Sequence, residues 1–535
     1  MQLIKEASEE KLRGGFYTPA PIASFILKWA FNGSEDLNIL EPSCGDGVFL
    51  EEIQKGKYKY NSFTAIEFDE IEANKSKKIN LEKSKIINTD FHKFCINTNQ
   101  KFDLIIGNPP YIRYQYFDKA QQKYASNIFE KANLKYSKLT NAWVSFVVGS
   151  SLLLNEVGKI GFVLPAEILQ VGYAKPLREF LAHFYNKVNI VSFEKLVFPN
   201  IQQEVVLLLC EKNKTTSHLI EHLELRDADA LKTLDISKLK SPQKKIDFKS
   251  NKWTFYFLEQ DEIDFLERLQ EEKIIQKLGI YAKVEVGITT GANPFFTVPL
   301  STVKEYSLEE YAKPLVGRSV QVPSAIFTVN DWNKNKEDEA RTHLLIFPKK
   351  SKLDKTSKAE EYIEVGESEN IHKGYKCRIR DEWQIIPSIR ISEALFIRRN
   401  NLYPKLIINE AKAYTTDTMH RVTSKENTDL KALTASYYNS ISLAFSEICG
   451  RSHGGGVLEL MPSEVEDILL PYHENNSKLL PIIDKMIREK KNISEILEVT
   501  NKKILKENFG LSQKDIDLAD KIWKRLSSRR LNRGK

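Results

Sequence analysis

The chain has 535 residues, a hydrophobic fraction of 41% and a mean hydropathy of −0.39, values typical of a soluble protein with room for two or three domains. No apolar run is long enough to span a bilayer. The acidic start MQLIKEASEE predicts no secretory signal peptide, and five cysteines without a CxxC pair predict free thiols in a reducing cytoplasm. The net charge of +7 favours polyanionic partners, although this charge alone does not identify a nucleic-acid-binding protein.

Over roughly the first 240 residues, short apolar runs alternate with amphipathic stretches, which predicts βαβ units around a mainly parallel sheet. The predicted strands are 37–43, 62–68, 101–108, 158–165, 189–195 and 204–212, and the predicted helices are 47–55, 139–155 and 166–184. Because a short loop separates the last two strands, we expect them to pair as a hairpin at one edge of the sheet. The alternation then stops, and a Lys-rich helical pattern begins at about residue 476.

The first predicted strand leads through ILEPSCGDGVFLEEI into a turn of small residues and then directly into a helix. Small residues let a ligand approach the backbone, and the amino end of a helix favours a negative group. The pattern is typical of nucleotide sites, although it lacks the GxGxxG sequence of dinucleotide folds.

Acidic residues follow the next strands at equivalent places. Glu67 ends a strand about 20 residues further on, where a doubly wound fold positions a carboxylate against the ribose hydroxyls. The following strand ends in NTDF, which offers Asp90 to an adenine amino group and Phe91 to the ring face. Each acid alone is better explained as an ordinary loop residue. Together with Glu41, acids at three consecutive strand ends predict an adenosine site.

The motif Asn108-Pro109-Pro110-Tyr111 follows the strand DLIIG. The two prolines end the strand and restrict the backbone. The Asn side-chain oxygen and a prolyl carbonyl can accept both hydrogens of a planar amino group and so aim its nitrogen lone pair at an electrophile. Tyr111 provides an aromatic face on which a base rotated out of a duplex can stack. The motif therefore predicts chemistry on a planar amino nitrogen.

In this order and at this spacing, EPSCGDGVFL, IEFD, NTDF and NPPY resemble the N6-adenine DNA methyltransferases of restriction–modification systems. The resemblance is to their gamma group, in which a cofactor segment precedes EPSCGDG and the target-recognition domain is C-terminal. Tyr17-Thr18-Pro19 matches the YTP of that segment. The resemblance is specific over 14–212 and looser afterwards.

The resemblance implies a class I, Rossmann-like α/β methyltransferase domain at 1–243 with a mainly parallel seven-stranded sheet. It also implies an α+β target-recognition domain at 244–475 and a helical basic C-terminal segment at 476–535. The implied function is site-specific methylation of N6 of a flipped-out adenine in double-stranded DNA, which protects the DNA from a cognate restriction endonuclease. That endonuclease is a functional partner and not necessarily part of a complex. A cytoplasmic monomer without membrane contact is expected.

The family also implies roles for individual residues. The residues expected to bind the cofactor S-adenosyl-L-methionine are Tyr17, Thr18, Glu41, Pro42, Ser43, Cys44, Gly45, Glu67, Phe68, Asp90, Phe91 and Asn108. The residues expected to act in catalysis are Asn108, Pro109, Pro110, Tyr111 and Phe198. In this set Asn108 and Pro109 hold the target amino group, while Tyr111 and Phe198 pack against the extruded base. No metal ion is implied.

The segments KPLVGRSVQVP, PKLIINEAKAYTTD and GGGVLELMPSEVEDILLP are similar to the recognition and closing segments of the family. The candidate DNA-binding residues lie near predicted strand ends and loops: Arg318, Lys412, Arg451 and His453. Arg318 is the strongest of them because Arg reads guanine edges or binds phosphate, whereas a structural salt bridge is its alternative role.

Other functions stay open at this stage. NPPY is equally compatible with methylation of a glutamine amide in a protein or of an RNA base, since both present planar nitrogens, and the separate basic domain favours DNA. An inactive DNA-binding protein that keeps the fold is a further alternative. A fused nuclease is not expected, because only about 15 residues precede the YTP segment. His218, Glu221 and His222 form an HxxEH pattern, but it lies in an alternating segment and predicts no zinc site.

Overall fold

The computed structural model describes residues 17–112, 116–135, 140–198, 204–236, 239, 244–246, 252–273, 275–354 and 356–532. The chain divides into two compact units, and the boundary in the sequence lies between Gln260 and Asp261. The functional boundaries predicted at 243/244 and 475/476 stay predictions. All five cysteines are buried free thiols. Within the described ranges, no helix has the length and apolar character needed to cross a membrane.

In the described part of the first unit, nine strands form one sheet with the order β3-β2-β1-β4-β5-β7-β6-β8-β9. The strands are β1 Leu37–Glu41, β2 Tyr60–Glu67, β3 Ser84–Asn88, β4 Phe102–Gly107, β5 Leu154–Pro165, β6 Lys187–Phe193, β7 Val205–Lys212, β8 Leu219–Leu225 and β9 Lys244–Lys245. The helices are α1 Ala20–Ala30, α2 Val48–Gly56, α3 Glu70–Lys78, α4 Phe91–Asn97, α5 Lys119–Lys131, α6 Ala142–Leu153 and α7 Lys175–Phe184.

The sheet confirms the predicted Rossmann-like α/β class. β1 pairs in parallel with both β2 and β4, so the strand order reverses at β1. β3 and β5 continue the parallel pairing outward on the two sides. In such sheets a ligand binds beyond the carboxyl ends of the strands that flank the reversal. The fold therefore places the site at the ends of β1, β2 and β4.

Two predictions about the sheet need correction. It has nine strands rather than seven, and the antiparallel β6–β7 pair does not lie at its edge, because β8 pairs in parallel with β6 and β9 pairs with β8. The segment that forms β8 alternates in the sequence, but its pairing with β6 is a contact that the sequence does not reveal. It contains Glu221 and His222, whose side chains point to opposite faces of the strand. These two HxxEH residues therefore do not converge on one metal ion.

The predicted helix over 166–184 is also interrupted. Two short 3-10 turns, Ala166–Leu169 and Gly172–Ala174, precede α7. The Arg178 side chain is 1% exposed, and its Nη1 donates to the carbonyls of Ile168 (2.8 Å) and Val171 (3.1 Å). A buried guanidinium thus satisfies carbonyls that a continuous helix would have paired internally.

The second unit has the predicted α+β character. In its described part, the sheets have the orders β11-β20-β16-β18-β14, β12-β15-β13-β19, β17-β22-β21 and β10-β23. The strands are β10 Gln276–Lys277, β11 Ala282–Val286, β12 Thr297–Val298, β13 Ala312–Val316, β14 Ile326–Phe327, β15 His343–Leu345, β16 Ala394–Ile397, β17 Arg399–Asn400, β18 Leu406–Asn409, β19 Tyr414–Thr415, β20 Met419–Ser424, β21 Arg451–His453, β22 Val457–Glu459 and β23 Leu469–Leu470.

The last helix of the second unit ends at Asn532. The helices of this unit are α8 Gln260–Glu271, α9 Leu278–Tyr281, α10 Asn293–Phe296, α11 Leu300–Glu305, α12 Val329–Glu337, α13 Lys358–Ser368, α14 Tyr375–Arg378, α15 Leu430–Tyr437, α16 Ser440–Cys449, α17 Pro462–Glu466, α18 Leu480–Arg488, α19 Ile493–Thr500 and α20 Gln513–Asn532. The segment after 476 is helical, as predicted, and α20 packs on α16 within the same compact unit.

Candidate active site

The turn between β1 and α2 forms the first wall of the site. Gly45 (φ +52°) and Gly47 (φ +95°) adopt left-handed conformations, and a Cβ on Gly47 would collide with Cδ1 of Ile79. The Gly45 carbonyl accepts a hydrogen bond from Ser76 Oγ at 2.8 Å. The small residues of the motif are therefore required by the packing of the turn as well as by any ligand that approaches it.

Glu67, at the end of β2, is anchored by this turn. Its Oε2 accepts from the Gly45 N–H at 2.8 Å, and its Oε1 accepts from the Asp69 N–H at 2.9 Å. Burial raises the pKa of Glu67, although these backbone donors oppose the shift. Each carboxylate oxygen keeps further lone-pair capacity for a ligand hydroxyl. The carboxylate is thus oriented before any ligand binds.

Glu41, at the end of β1, is 1% exposed. Its Oε2 is buried and accepts no hydrogen bond from the described residues. Burial and the neighbouring carboxylates of Glu67 and Asp46 raise the pKa of Glu41 well above its usual range. A buried carboxyl oxygen without a partner is costly unless a ligand supplies a donor. This site therefore suits a cationic or hydrogen-bond-donating group.

Asp90 follows β3 and caps α4, where its Oδ1 accepts from the Lys93 N–H at 2.9 Å. Its Oδ2 accepts from Gln121 Nε2 at 3.2 Å, and His92 Nδ1 lies 3.4 Å from Oδ1. Burial raises the pKa of Asp90, but the interactions with His92, the Lys93 N–H and Gln121 outweigh burial. The pKa of Asp90 is therefore below its ordinary value. Phe91 is 2% exposed and stacks on Phe146 at 4.8 Å between ring centroids. Asp90 is thus held as a carboxylate beside an aromatic wall.

The Asn-Pro-Pro-Tyr motif follows β4. The Asn108 carbonyl accepts from Ser43 Oγ at 3.2 Å, which joins the motif to the β1 turn. The Tyr111 hydroxyl lies 2.8 Å from Asn108 Oδ1 and 3.2 Å from the Val163 carbonyl. Its ring is half-buried against the core of the unit. Tyr111 therefore orients the Asn108 amide so that the amide oxygen acts as an acceptor.

These walls enclose a cavity of about 580 Å³, a size typical of small-molecule sites. Every residue predicted to bind the cofactor lines it, as does Pro110. Pro109, Tyr111 and Phe198 are not among the lining residues, and Phe198 is 5% exposed in the hydrophobic core. The assignment of these three residues to the target base stays a prediction.

Sequence reasoning missed several lining residues. They are Asp46, Val48, Asp69, Glu70, Glu72, Thr89, His92, Ile112, Tyr116, Phe117, Gln121 and Phe146. Asp46 and Asp69 lie within the motifs EPSCGDGVFL and IEFD, and Glu70 and Glu72 follow the second motif, so their positions were accessible from the sequence. Gln121 and Phe146 come from α5 and α6 and carry no motif. Among the described residues, no group of three or more His, Cys, Asp or Glu side chains is arranged to hold a metal ion.

The four candidate DNA-binding residues occupy different surroundings in the second unit. Arg318 and Lys412 are exposed and form no ion pair within the described ranges. They lie beyond opposite ends of the parallel β13–β19 pair. Arg451 Nε donates to Glu464 Oε1 at 3.0 Å, whereas His453 Nε2 lies 2.9 Å from Glu459 Oε2.

Glu459 is the centre of a cationic group that the sequence did not reveal. Arg398 Nε and Arg399 Nε lie 2.9 and 3.1 Å from its Oε1. The hydrogen bond from His453, together with the charges of the two arginines, lowers the pKa of Glu459 to about 2. Because Arg398 and Arg399 are about 60 residues from Glu459 in the sequence, the β17–β22 pairing is needed to bring them together, and the β21–β22 hairpin adds His453.

Comparison with known proteins gives two family matches. Residues 22–198 match the Eco57I restriction-modification methylase description, and residues 250–505 match the C-terminal domain of the type II methyltransferase M.Eco57I. The type II methyltransferase M.AccI of Acinetobacter calcoaceticus is 25% identical over 520 residues, which are 92% of this chain and 93% of that protein.

Two further matches are shorter or more distant. The type II methyltransferase M.HincII of Haemophilus influenzae is 29% identical over 236 residues, which are 42% of each chain. Among solved structures, a nuclease-deletion mutant of the Type ISP restriction-modification enzyme LlaGI in complex with a DNA substrate mimic is 13% identical, with a TM-score of 0.49. That match covers 89% of this chain and 55% of the LlaGI chain.

Proposed function

The chain belongs to the Eco57I restriction-modification methylase family of type II DNA methyltransferases, and we propose that it transfers a methyl group from S-adenosyl-L-methionine to N6 of an adenine rotated out of duplex DNA. The observation that carries the proposal is the convergence of Glu41, Glu67, Asp90 and Asn108 on one cavity. In this proposal, 1–243 is catalytic, 244–475 recognises DNA and 476–535 completes the chain as a helical segment. The biological counterpart is a cognate restriction endonuclease, and the enzyme acts as a cytoplasmic monomer.

The side chains of the cavity fit the proposed cofactor. The unpaired buried oxygen of Glu41 would accept hydrogen bonds from the α-ammonium group at the methionine end, next to Thr18. Glu67 would accept from the ribose hydroxyls, and Asp90 would accept from the adenine amino group while Phe91 contacts its ring. When bound, S-adenosyl-L-methionine supplies an electrophilic methyl group on a positively charged sulfur.

Asn108 and Pro109 would prepare the target nitrogen. An adenine amino nitrogen is a poor nucleophile while its lone pair is delocalised into the ring. If Asn108 Oδ1 and the Pro109 carbonyl accept its two hydrogens, the nitrogen becomes more tetrahedral and its lone pair is aimed at the methyl group. An amide oxygen has two lone pairs, so Asn108 Oδ1 can keep its bond from Tyr111 while it accepts from the base.

Methylation of duplex DNA tests the proposal. We expect the purified chain to transfer labelled methyl groups from S-adenosyl-L-methionine to duplex DNA, and nucleoside analysis to identify the product as N6-methyladenine. Sequencing of methylated DNA from cells that express the chain would then define the recognition site. Labelling of cytosine, RNA or a protein glutamine instead of adenine would overturn the proposal. So would cofactor binding with no transfer to any substrate, which is the outcome expected of an inactive DNA-binding protein.

Substitution of Glu67 by alanine is expected to weaken cofactor binding by about 1.5–3 kcal/mol, because a charged acceptor of the ribose hydroxyls is lost. Titration calorimetry measures this change. Glu70→Ala is the matched control, since Glu70 also lines the cavity but is exposed at the start of α3. If both variants lose the same affinity, the effect comes from the general negative potential of the cavity, and the ribose contact lies elsewhere.

Tyr111→Ala is expected to remove about 1–3 kcal/mol of base capture, the range of other base–aromatic stacks. With 2-aminopurine at the target position, the wild-type chain should change the probe fluorescence on binding and Tyr111→Ala should not. Tyr111→Phe keeps the ring but loses the bond to Asn108 Oδ1, so it should keep the fluorescence change and transfer methyl groups more slowly. An identical probe response in Tyr111→Ala and wild type would refute the stacking role.

A further inference from the structure

A turn in the second unit presents an arginine and a valine to solvent. β13 ends at Val316, residues 317–321 form the turn, and Val322 is buried again. Val320 is 84% exposed, more than any other large hydrophobic residue in the described ranges. Arg318 is also exposed and forms no ion pair with an acidic side chain among the described residues. Neither side chain contributes appreciably to the packing of its own unit.

The base of this turn is rigid because of Gln321, which is 5% exposed. Gln321 Oε1 accepts from the N–H groups of Gly317 and Arg318, both at 2.8 Å, and its Nε2 donates to the Arg341 carbonyl at 3.2 Å. The Gln321 carbonyl accepts from Asn335 Nδ2 at 2.8 Å. A buried amide with all these bonds fixes the backbone that carries Arg318 and Val320. The turn is therefore preorganised, which reduces the entropy cost of binding a partner.

The neighbouring polar groups define the chemistry that this turn can recognise. The Gly317 carbonyl accepts a hydrogen bond from Thr418 Oγ1 at 2.8 Å, so this backbone group has its partner within the protein. Arg341, whose carbonyl contacts Gln321, is a second exposed cation without an ion pair among the described residues. An exposed cation in the turn, an exposed apolar side chain and a second exposed cation on the segment bonded to Gln321 match a partner that combines negative charge with apolar edges. The grooves of duplex DNA have both, as phosphates and as base edges with thymine methyl groups.

We propose that the turn 317–321 enters a groove of the DNA substrate and reads base identity. Arg318 donates hydrogen bonds to a base edge, and Val320 makes an apolar contact with an adjacent base. Gln321 is a positioning residue that keeps both side chains in register. This inference rests on the proposed function, since it assigns the specificity of the same enzyme.

Arg318→Lys and Val320→Ser test the two contacts in the full-length chain. Lysine keeps the charge but lacks the fixed fork of donors, so a base-reading arginine loses discrimination in Arg318→Lys whereas a phosphate contact is kept. We expect each variant to reduce discrimination at one position of the recognition sequence by roughly 5- to 150-fold. The matched control is Val329→Ala, because Val329 is a 54% exposed valine at the start of α12 in the same unit.

Discrimination is measured by selecting bound duplexes from a random-sequence pool and by sequencing DNA methylated in cells. Equal melting temperatures of the variants and the wild type establish that folding is unchanged. The inference is overturned if Arg318→Lys and Val320→Ser select the same sequences as the wild type with the same affinity, or if the wild-type chain selects no sequence at all. It is also overturned if the two variants abolish binding of a protein and leave DNA selection intact.

These outcomes separate the inference from the proposed function. If the wild type methylates adenine at a sharp site that neither variant relaxes, the proposed function stands and the role of the turn is wrong. If the wild type selects a sequence that the variants relax but adenine is not methylated, the turn reads DNA and the proposed reaction is wrong.

Discussion

Replacement of Asn108 by alanine is expected to reduce methyl transfer at least about 100-fold, the scale of losing one positioned polar group at a reacting centre. The Asn108 Oδ1 acceptor lies at the end of β4, where the Tyr111 hydroxyl orients it. Alanine removes both the acceptor for the target amino group and the partner of Tyr111. The affinity for the cofactor should change far less, because Glu41 and Glu67 lie on other strands.

Single-turnover transfer of labelled methyl groups measures the effect on chemistry, and calorimetry measures cofactor affinity separately. Asn108→Asp is the conservative comparison, since it keeps an acceptor oxygen at the same place and should retain more activity than Asn108→Ala. Turnover of Asn108→Ala at the wild-type rate would mean that another group holds the target nitrogen. Loss of cofactor binding in parallel with activity would mean that Asn108 acts mainly in the cofactor site.

The side of the cavity proposed to bind the cofactor was predictable because its parts are local in sequence. A parallel sheet brings the carboxyl ends of consecutive strands to one edge, so residues that follow β1, β2 and β3 converge without knowledge of distant contacts. Glu41, Glu67 and Asp90 were found in this way, and all three line the cavity. The reversal of strand order at β1 follows from the same fold class.

The parts that were missed depend on contacts between distant residues. Gln121, which bonds to Asp90, is 31 residues away on a helix that the sequence pattern did not show. The strand β8 was not among the predicted strands, although its segment alternates, because alternation alone does not show that it pairs with β6. The predicted helix over 166–184 is interrupted before α7, where Arg178 bonds to carbonyls that only the folded chain brings near it. Propensity and periodicity contain no information about such pairs.

The basic C-terminal segment shows the same limit. The sequence predicts only a helical basic segment here, with no tertiary contact for any of its arginines, yet Arg530 in α20 is 2% exposed. Its guanidinium donates to both carboxylate oxygens of Glu447, at 2.9 and 2.7 Å, in a bidentate pair. It also donates to the carbonyls of Asn401 and Gly456. In the sequence WKRLSSRRLNRGK nothing distinguishes this arginine from its neighbours.

Arg530→Ala is therefore expected to destabilise the second unit by about 3–5 kcal/mol, because it leaves the Glu447 carboxylate buried without its partner. Urea unfolding measures the loss, and hydrogen exchange in α16 and α20 assigns it to this unit. Lys524→Ala is the matched control on the same helix, since Lys524 is 54% exposed and its ion pair with Asp520 should contribute at most about 1 kcal/mol. If both variants lower the free energy of unfolding by the same amount, the buried Arg530–Glu447 pair contributes no more to stability than the exposed Lys524–Asp520 pair.

The double variant Arg530→Leu/Glu447→Leu separates two causes of that loss. If the unpaired charge dominates, removal of both partners should restore most of the stability, since apolar replacements of buried pairs are often neutral. If the double variant stays as unstable as Arg530→Ala, the bonds from Arg530 to the carbonyls of Asn401 and Gly456 dominate instead. Those carbonyls lie in the loops next to Arg399 and His453. In that case the carbonyl bonds, rather than the charge pair, stabilise the loops that carry Arg399 and His453.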